Sequence, residues 1–276
     1  MSPAHPRRPL RTALTLLSLC LFLVGGGLLL KNAWETARTQ SAVAALKTAV
    51  PSQPTPPPLS STAPALLPAL LPAAPSQPPA PPPLPDCAAL RRRNPDLFGW
   101  ITIPNTRIDY PIMHTPGSKG EEFYLRRNFF GEYDLGGLPF LDARCTADPP
   151  AQILTVYGHN LSSGIMFHDL LRYRKQSFCA ANPEITLYTP TETRTYRVFS
   201  ALLYDASSPS DAFKPHGYTA FDTPAQLDDY LRQLAVSALY VTDDPPVFGD
   251  RLLLLATCDR RSLENGRMVV LAKQTE

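Results

Sequence analysis

The sequence predicts a mainly β fold: a closed or nearly closed barrel with peripheral helices, behind an N-terminal membrane anchor and a Pro-rich linker. Three observations predict it. From about Asp86 onward, runs with strand periodicity outnumber helical stripes and do not alternate as regular βαβ units. Thr12 to Leu30 is a 19-residue, Leu-rich run without a charge. Fifteen of the 32 prolines fall between Pro51 and Pro85, a stretch with no charged residue.

At 1.5 Å per residue the apolar run reaches about 28 Å, close to the hydrocarbon thickness of a bilayer. Lys31 closes it. A cleaved secretory signal would need a shorter apolar core and a small-x-small site soon after it. Ala42-Val43-Ala44 has that form but lies about a dozen residues too late. An uncleaved anchor is the expectation. Arg7, Arg8 and Arg11 cluster before the run, while Lys31, Arg38 and Lys47 are spread after it, which favours a cytoplasmic N-terminus.

Residues 31–50 are Ala-rich and suit a helix at the membrane surface. In polyproline geometry the Pro-rich stretch spans at most about 110 Å. That is the length of a stalk lifting a domain off a membrane; a spacer with no precise length role fits the same composition. The expected organisation is a cytoplasmic N-terminus (1–11), a transmembrane anchor (12–30), a juxtamembrane segment and Pro-rich linker (31–85), and an extracellular globular domain (86–276).

Charge excludes one class of partner. Residues 1–85 hold six of the 26 Lys/Arg and one of the 24 Asp/Glu, which leaves 20 basic and 23 acidic residues downstream. The globular part therefore offers no basic field for nucleic acid. The five cysteines, Cys20, Cys87, Cys145, Cys179 and Cys258, contain no Cys-x-x-Cys pair, so no structural zinc site is expected, and no cofactor. An extracellular domain would permit a Cys145–Cys179 disulfide, which their spacing neither requires nor excludes.

Within the domain, Trp100 to Ile103 reads as a strand ended by Pro104-Asn105, and Arg107 to Met113 as the next. Leu138 to Asp142 is a short strand after two glycines. Ile153 to Tyr157 is largely apolar and therefore central. Ile185 and Leu187 alternate with polar neighbours, as do Tyr196, Val198, Leu202 and Tyr204, and the two runs form a hairpin across Thr189-Pro190. Arg251 to Ala256 and Met268 to Ala272 are the last strands. Two helical stripes are marked. Met166, Phe167, Leu170 and Leu171 follow Ser162-Ser163. Thr223-Pro224 with Gln226 forms a capping box before Leu227, Tyr230, Leu231 and Leu234. Both stripes read as core packing.

Cys258 stands where the Leu252–Thr257 strand runs out into Asp259-Arg260-Arg261, a position that substrate can reach. Arg267 opens the next strand. If the two strands pair as a hairpin, Arg267 sits beside Cys258 as a permanent cation able to stabilise an oxyanion; Arg260 and Arg261 lie in the loop with no fixed direction. Of the histidines, His5 precedes the membrane run, His168 lies among helical core residues and His216 in a Pro/Gly/Ser-rich loop. His114 ends a strand and is the second choice as base. His159, after the central strand at Tyr157-Gly158-His159-Asn160, is the first. A Cys–His pair has a clear logic. The thiolate attacks a carbonyl to form a thioester, imidazolium protonates the leaving amine, and the neutral imidazole activates an incoming one. The reference gap of about two pKa units disfavours the ion pair by roughly 2.7 kcal/mol, and a nearby cation reduces that cost.

These residues resemble the sortase family, and its class B branch most closely, over about residues 90–272. The likeness is carried by Phe98-Gly99-Trp100-Ile101-Thr102-Ile103-Pro104, Ile108-Asp109-Tyr110-Pro111 and Gly137-Leu138-Pro139-Phe140-Leu141-Asp142. It continues through Tyr157-Gly158-His159-Asn160, Met166-Phe167, Thr257-Cys258 and Arg267-Met268-Val269-Val270. The resemblance implies a sortase β-barrel of about eight strands, with His159, Cys258 and Arg267 as the catalytic residues and Thr257 and Asn160 as substrate-binding residues. It implies a membrane enzyme that cleaves a C-terminal sorting motif after Thr, for class B often of an Asn-Pro-x-Thr kind. The acyl group would then pass to an amine of a cell-wall precursor or a pilin lysine. Ser207–Ala238 resembles the class B insertion that shapes the motif groove. The sequence departs from the usual Thr-Leu-x-Thr-Cys run and replaces an early polar turn with His114-Thr115-Pro116-Gly117-Ser118. A thiol hydrolase of the same fold and a non-catalytic surface-binding module are the rival readings; the Ser-His-Gly-Cys element of the other cell-wall cysteine transpeptidase class does not occur.

Overall fold

The computed structural model describes residues 8–48, 84–115, 117, 119–148, 150–208, 213–259 and 265–275. The Pro-rich stretch, His5, Arg260 and Arg261 lie outside the described residues, and with them the stalk expectation. Helix α1 runs from Arg8 to Thr48. Its stretch from Leu16 is long and apolar enough to cross a membrane, and its side chains there are largely exposed (Phe22 76%, Leu30 74%).

The domain contains α2 (Cys87–Arg93), β1 (Leu97–Thr102), β2 (Asp109–Met113), β3 (Phe140–Leu141), β4 (Ile153–Tyr157), α3 (Gln176–Ala181), β5 (Glu184–Tyr188), β6 (Thr193–Asp205), α4 (Pro224–Ser237), β7 (Ala238–Val241), β8 (Leu252–Cys258) and β9 (Gly266–Gln274). Eight strands close a barrel in the order β5-β1-β2-β3-β4-β8-β9-β6, shut by the β5–β6 hairpin; β7 adds to the free edge of β6. Pairing is antiparallel except for β2–β3 and β4–β8. The expected barrel is therefore present, and so are the β5–β6 and β8–β9 hairpins. β7 and α2 are additions to the sequence reading. β7 follows α4 without a turn residue, and α2 is a short helix capped by the Asp86 carboxylate on Ala89 N (2.8 Å).

Two helical regions differ in detail from expectation. The Met166–Leu171 stripe is a 3₁₀ helix, Phe167–Arg174, and its cap residue Met166 sits at φ 60°. At α4, Thr223 Oγ1 accepts from Gln226 N (3.3 Å), but the Gln226 side chain accepts from Asp222 N rather than from the cap residue itself.

The apolar runs bury both faces of the sheet. Leu253, Leu255, Met268 and Val270 fill the barrel with Trp100, Ile112 and Phe167. Leu252, Leu254, Ala256, Val269 and Leu271 form a second core on the outer wall, under Leu227, Tyr230 and Leu234 of α4. That two-sided burial explains why β8 reads as continuous Leu instead of alternating. The barrel core also takes in Val43 and Leu46 of α1, so the packed unit begins before residue 86.

Candidate active site

The β8–β9 register sets Cys258 directly opposite Arg267. On the next strand, Tyr204 of β6 is the partner of Arg267. On the other side, β4 runs parallel to β8 with Tyr157 beside Ala256, so His159 and Cys258 each lie two residues past that pair. Cys258, Arg267 and Tyr204 thus fall on one row across three neighbouring strands, and His159 follows in the loop two residues past the end of β4. Side chains alternate along a strand. Cys258 shares the parity of Leu252, Leu254 and Ala256, and Arg267 that of Val269 and Leu271, which puts the row on the outer wall at the end of the α4 core. The thiol is half-exposed and not sealed in the barrel.

His159 is held from behind. Its Nε2 donates to the Leu125 carbonyl (2.8 Å), so in the neutral ring Nδ1 is the basic nitrogen. Leu125 lies in a short 3₁₀ helix, Phe123–Arg126, whose carbonyls back onto Gly137. A Cβ at Gly137 would lie 2.2 Å from Leu125 O, and its φ is +57°. Only glycine fits both conditions. Gly158 allows a second close approach, since the Phe167 ring stands 2.6 Å from where its Cβ would be.

The loop after β4 is stitched to the end of β8. Thr257 Oγ1 donates to Gly158 O (2.7 Å), and Asn160 Nδ2 donates to Cys258 O (2.8 Å). Asn160 Oδ1 meets His168 Nδ1 at 2.7 Å. Thr257 and Asn160 therefore have these polar groups engaged inside the protein. Asp259, fully buried, forms an ion pair with Arg174, and its N–H donates to Gly266 O (2.8 Å), which closes the β8–β9 end.

Arg267 lies among aromatic and charged groups, with the Tyr204 ring opposite it and the Asp205 carboxylate nearby. Arg267 Nη1 donates to Gly266 O (3.2 Å). Burial pushes the Tyr204 phenol up to about 12, against the pull of Arg267. Tyr204 OH meets His216 Nδ1 at 3.1 Å and the two rings stack. Burial, and then the Arg144 charge, hold His216 below the usual histidine range. Burial alone would raise Asp142, but its bonds from Arg144 and Tyr157 more than offset it and leave the carboxyl below its ordinary value.

The remaining candidates fall elsewhere. His114 is buried at the end of β2, beside Asp96 and Asp142 and away from the Cys258 row. His168 is the partner of Asn160. Cys145 and Cys179 are free: Cys145 Sγ faces Ile153 O (3.3 Å) and Cys179 Sγ faces Val198 O (3.8 Å), so the permitted disulfide is not formed. Burial raises the thiols of Cys87, Cys145 and Cys179, away from the reactive thiolate. Sequence reasoning missed the Leu125 carbonyl, Tyr204, His216 and the Arg174–Asp259 pair. Only Tyr204 left a trace, through its place in the alternation of β6.

The closed barrel thus presents a reachable thiol opposite a guanidinium, with an imidazole in the loop beyond the neighbouring strand. A family model described as the sortase domain matches residues 101–275. The chain is 31% identical over 185 residues to sortase B of Listeria monocytogenes, covering 67% of this chain and 72% of that protein. Among solved structures, Clostridium perfringens sortase B matches at TM-score 0.59 and 30% identity (68% of this chain, 98% of that one). A Staphylococcus aureus sortase B–substrate complex matches at 0.60 and 26% identity (69% and 84%). The chain belongs to the sortase family, and its relatives place it in class B.

Proposed function

We propose that Cys258 is the nucleophile, His159 the acid/base and Arg267 the oxyanion cation of a transpeptidase acting on a C-terminal sorting motif of the Asn-Pro-x-Thr kind. The observation that supports this reading is the register that pairs Cys258 with Arg267 and sets β4, which leads into His159, parallel beside β8. The Cys258 thiolate adds to the Thr carbonyl carbon, and Arg267 compensates the charge on its oxygen. The C–N bond breaks as His159 H⁺ protonates the departing amine, which leaves a thioester. An incoming amine, from a cell-wall precursor or a pilin lysine, loses its proton to His159 and attacks. The new amide forms and Cys258 is released.

Asn160 is the substrate-binding residue beside the thiol, tied to the end of β8 through Cys258 O, and Thr257, buried on the barrel-facing side of β8, supports that surface by holding the backbone at Gly158 O. The apolar part of α1, residues 12–30, crosses the cell membrane once with the N-terminus in the cytoplasm and residues 86–276 outside. Incubating the catalytic domain with a peptide library, with and without amine acceptors, tests the assignment. Cleavage after Thr with amine-dependent ligation is expected. Cleavage to the free acid at any amine concentration would favour a hydrolase, and no cleavage in any peptide would favour a binding module. In intact cells, a membrane-impermeant thiol reagent reaching Cys258 but not a cysteine at position 2 tests the orientation.

A further inference from the structure

The lower half of α1 is not a free lead to the domain. Asn32, Thr36, Thr39, Val43 and Leu46 recur at i, i+4, i+7 and so share one helix face. Thr39 Oγ1 donates to the Asp134 carboxylate (2.8 Å), and Val43 and Leu46 are 8% and 4% exposed within the barrel core. Lys47 Nζ bonds Asp109 Oδ2 (2.5 Å) and lies 5.4 Å over the Trp100 ring. The cavity left between Val43, Leu46 and Phe129 is about 20 Å³, barely one water, so this is close-packed contact. Higher on the helix, Asn32, Glu35 and Thr36 line a groove with Leu161, Ser162 and Ser163, the loop that directly follows His159 and Asn160.

Both ends of the Pro-rich segment meet the same strip of sheet. Lys47, at the end of α1, covers Trp100. Cys87, at the start of α2, has its Sγ 3.4 Å from Tyr188 O. Trp100 and Tyr188 are direct partners in the β1–β5 ladder. The chain therefore leaves the domain and returns to it at one place.

We propose that residues 32–47 of α1 dock the catalytic domain directly onto its own membrane helix, so that this contact, and not the length of chain between residues 48 and 84, sets the height of the domain. The membrane half of this rests on α1 crossing the bilayer, as proposed above. Asn32 is only two residues past Leu30, a rise of about 3 Å, so the loop bearing His159 stands at the membrane surface. A Pro-rich stalk would instead place it up to about 110 Å away. The fixed height suits substrates that are themselves held at the membrane.

The test uses the full chain in detergent micelles, with Cys20→Ser and Cys258→Ala and spin labels at Lys31→Cys and Val236→Cys. Pulsed dipolar spectroscopy should give a single narrow distance. That distance should persist when residues 52–82 are replaced by a short Gly/Ser linker, and the narrow peak should be lost in Val43→Asp. Thr39→Ala with Lys47→Ala is the milder variant: it should broaden the distance while the domain's melting temperature stays put, which separates undocking from unfolding. A broad distribution in the parent, a distance that shifts on shortening, or a narrow peak surviving both disruptions would overturn the docking. Alkaline extraction of cell membranes tests the span separately: release of the chain would remove the membrane half while the distance measurement still decides the docking.

Discussion

Replacing Gly137 with alanine would set a methyl carbon 2.2 Å from the Leu125 carbonyl oxygen, where real Cβ contacts stay beyond 3.0 Å. The carbonyl must retreat by about 0.8 Å, the difference between those two distances. That carbonyl is the Nε2 partner of His159, so the imidazole either follows it or loses a 2.8 Å bond. A misplacement of about 1 Å at a reacting group costs on the order of 10²-fold in rate. The positive φ adds about 1–2 kcal/mol of backbone strain for any residue with a Cβ. The expected result is therefore a kcat lower by about 10²-fold with KM little changed, together with a modest fall in stability. Gly117→Ala is the control. It carries the same kind of backbone cost at φ +90° with nothing within 4 Å, so it should lose stability and keep its kcat. Steady-state cleavage of a sorting peptide and thermal melts read both quantities. A Gly137→Ala enzyme with kcat within about twofold of wild type, yet destabilised like Gly117→Ala, would refute the link from Gly137 to the imidazole.

Cys258→Ala should abolish turnover, and His159→Ala and Arg267→Ala should each cost at least roughly two to three orders of magnitude in kcat/KM. Near-normal rates in Arg267→Ala would move the oxyanion role to Arg260 or Arg261. Arg174→Ala removes the guanidinium paired with the fully buried Asp259 and should lower the midpoint of urea unfolding; an unchanged midpoint would show that the pair is not structural. His114 and His216 are both held below the usual histidine range, chiefly by burial. Their neutral forms fit the fold, so the stability they contribute is full above about pH 6.5 and is lost as pH falls below it, toward their folded values. Melts from pH 7.5 to 5 should show this decline, and a His114→Gln, His216→Gln double variant should flatten it.

Much of this was legible in the sequence because it is local. The charge-free run of α1, the Thr223-Pro224 cap, the β5–β6 hairpin and the Cys258 and Arg267 strands announce themselves within windows of a few residues. The site was legible where two local facts sufficed: a cysteine ending one strand and an arginine opening its hairpin partner. β7 was not, because Ala238–Val241 is only four residues long and runs straight on from the apolar stripe of α4. The docking of α1 was not, because its buried stripe of Thr39, Val43 and Leu46 is mild and the Pro-rich stretch after it suggests separation.

The sequence by itself determined most element types, the apolar run of α1 and the candidates for the reactive groups, since these follow from side-chain chemistry and short-range periodicity. Tertiary structure alone decided which wall of the barrel Cys258 occupies. Leu252 to Leu255 are apolar on both faces, so their pattern cannot say which parity points inward. It also decided that β4 lies parallel to β8, about a hundred residues on in the chain, which brings the loop bearing His159 beside the end of β8. Pairing of that kind is fixed by the closure of the whole barrel, and no stretch of neighbouring residues encodes it.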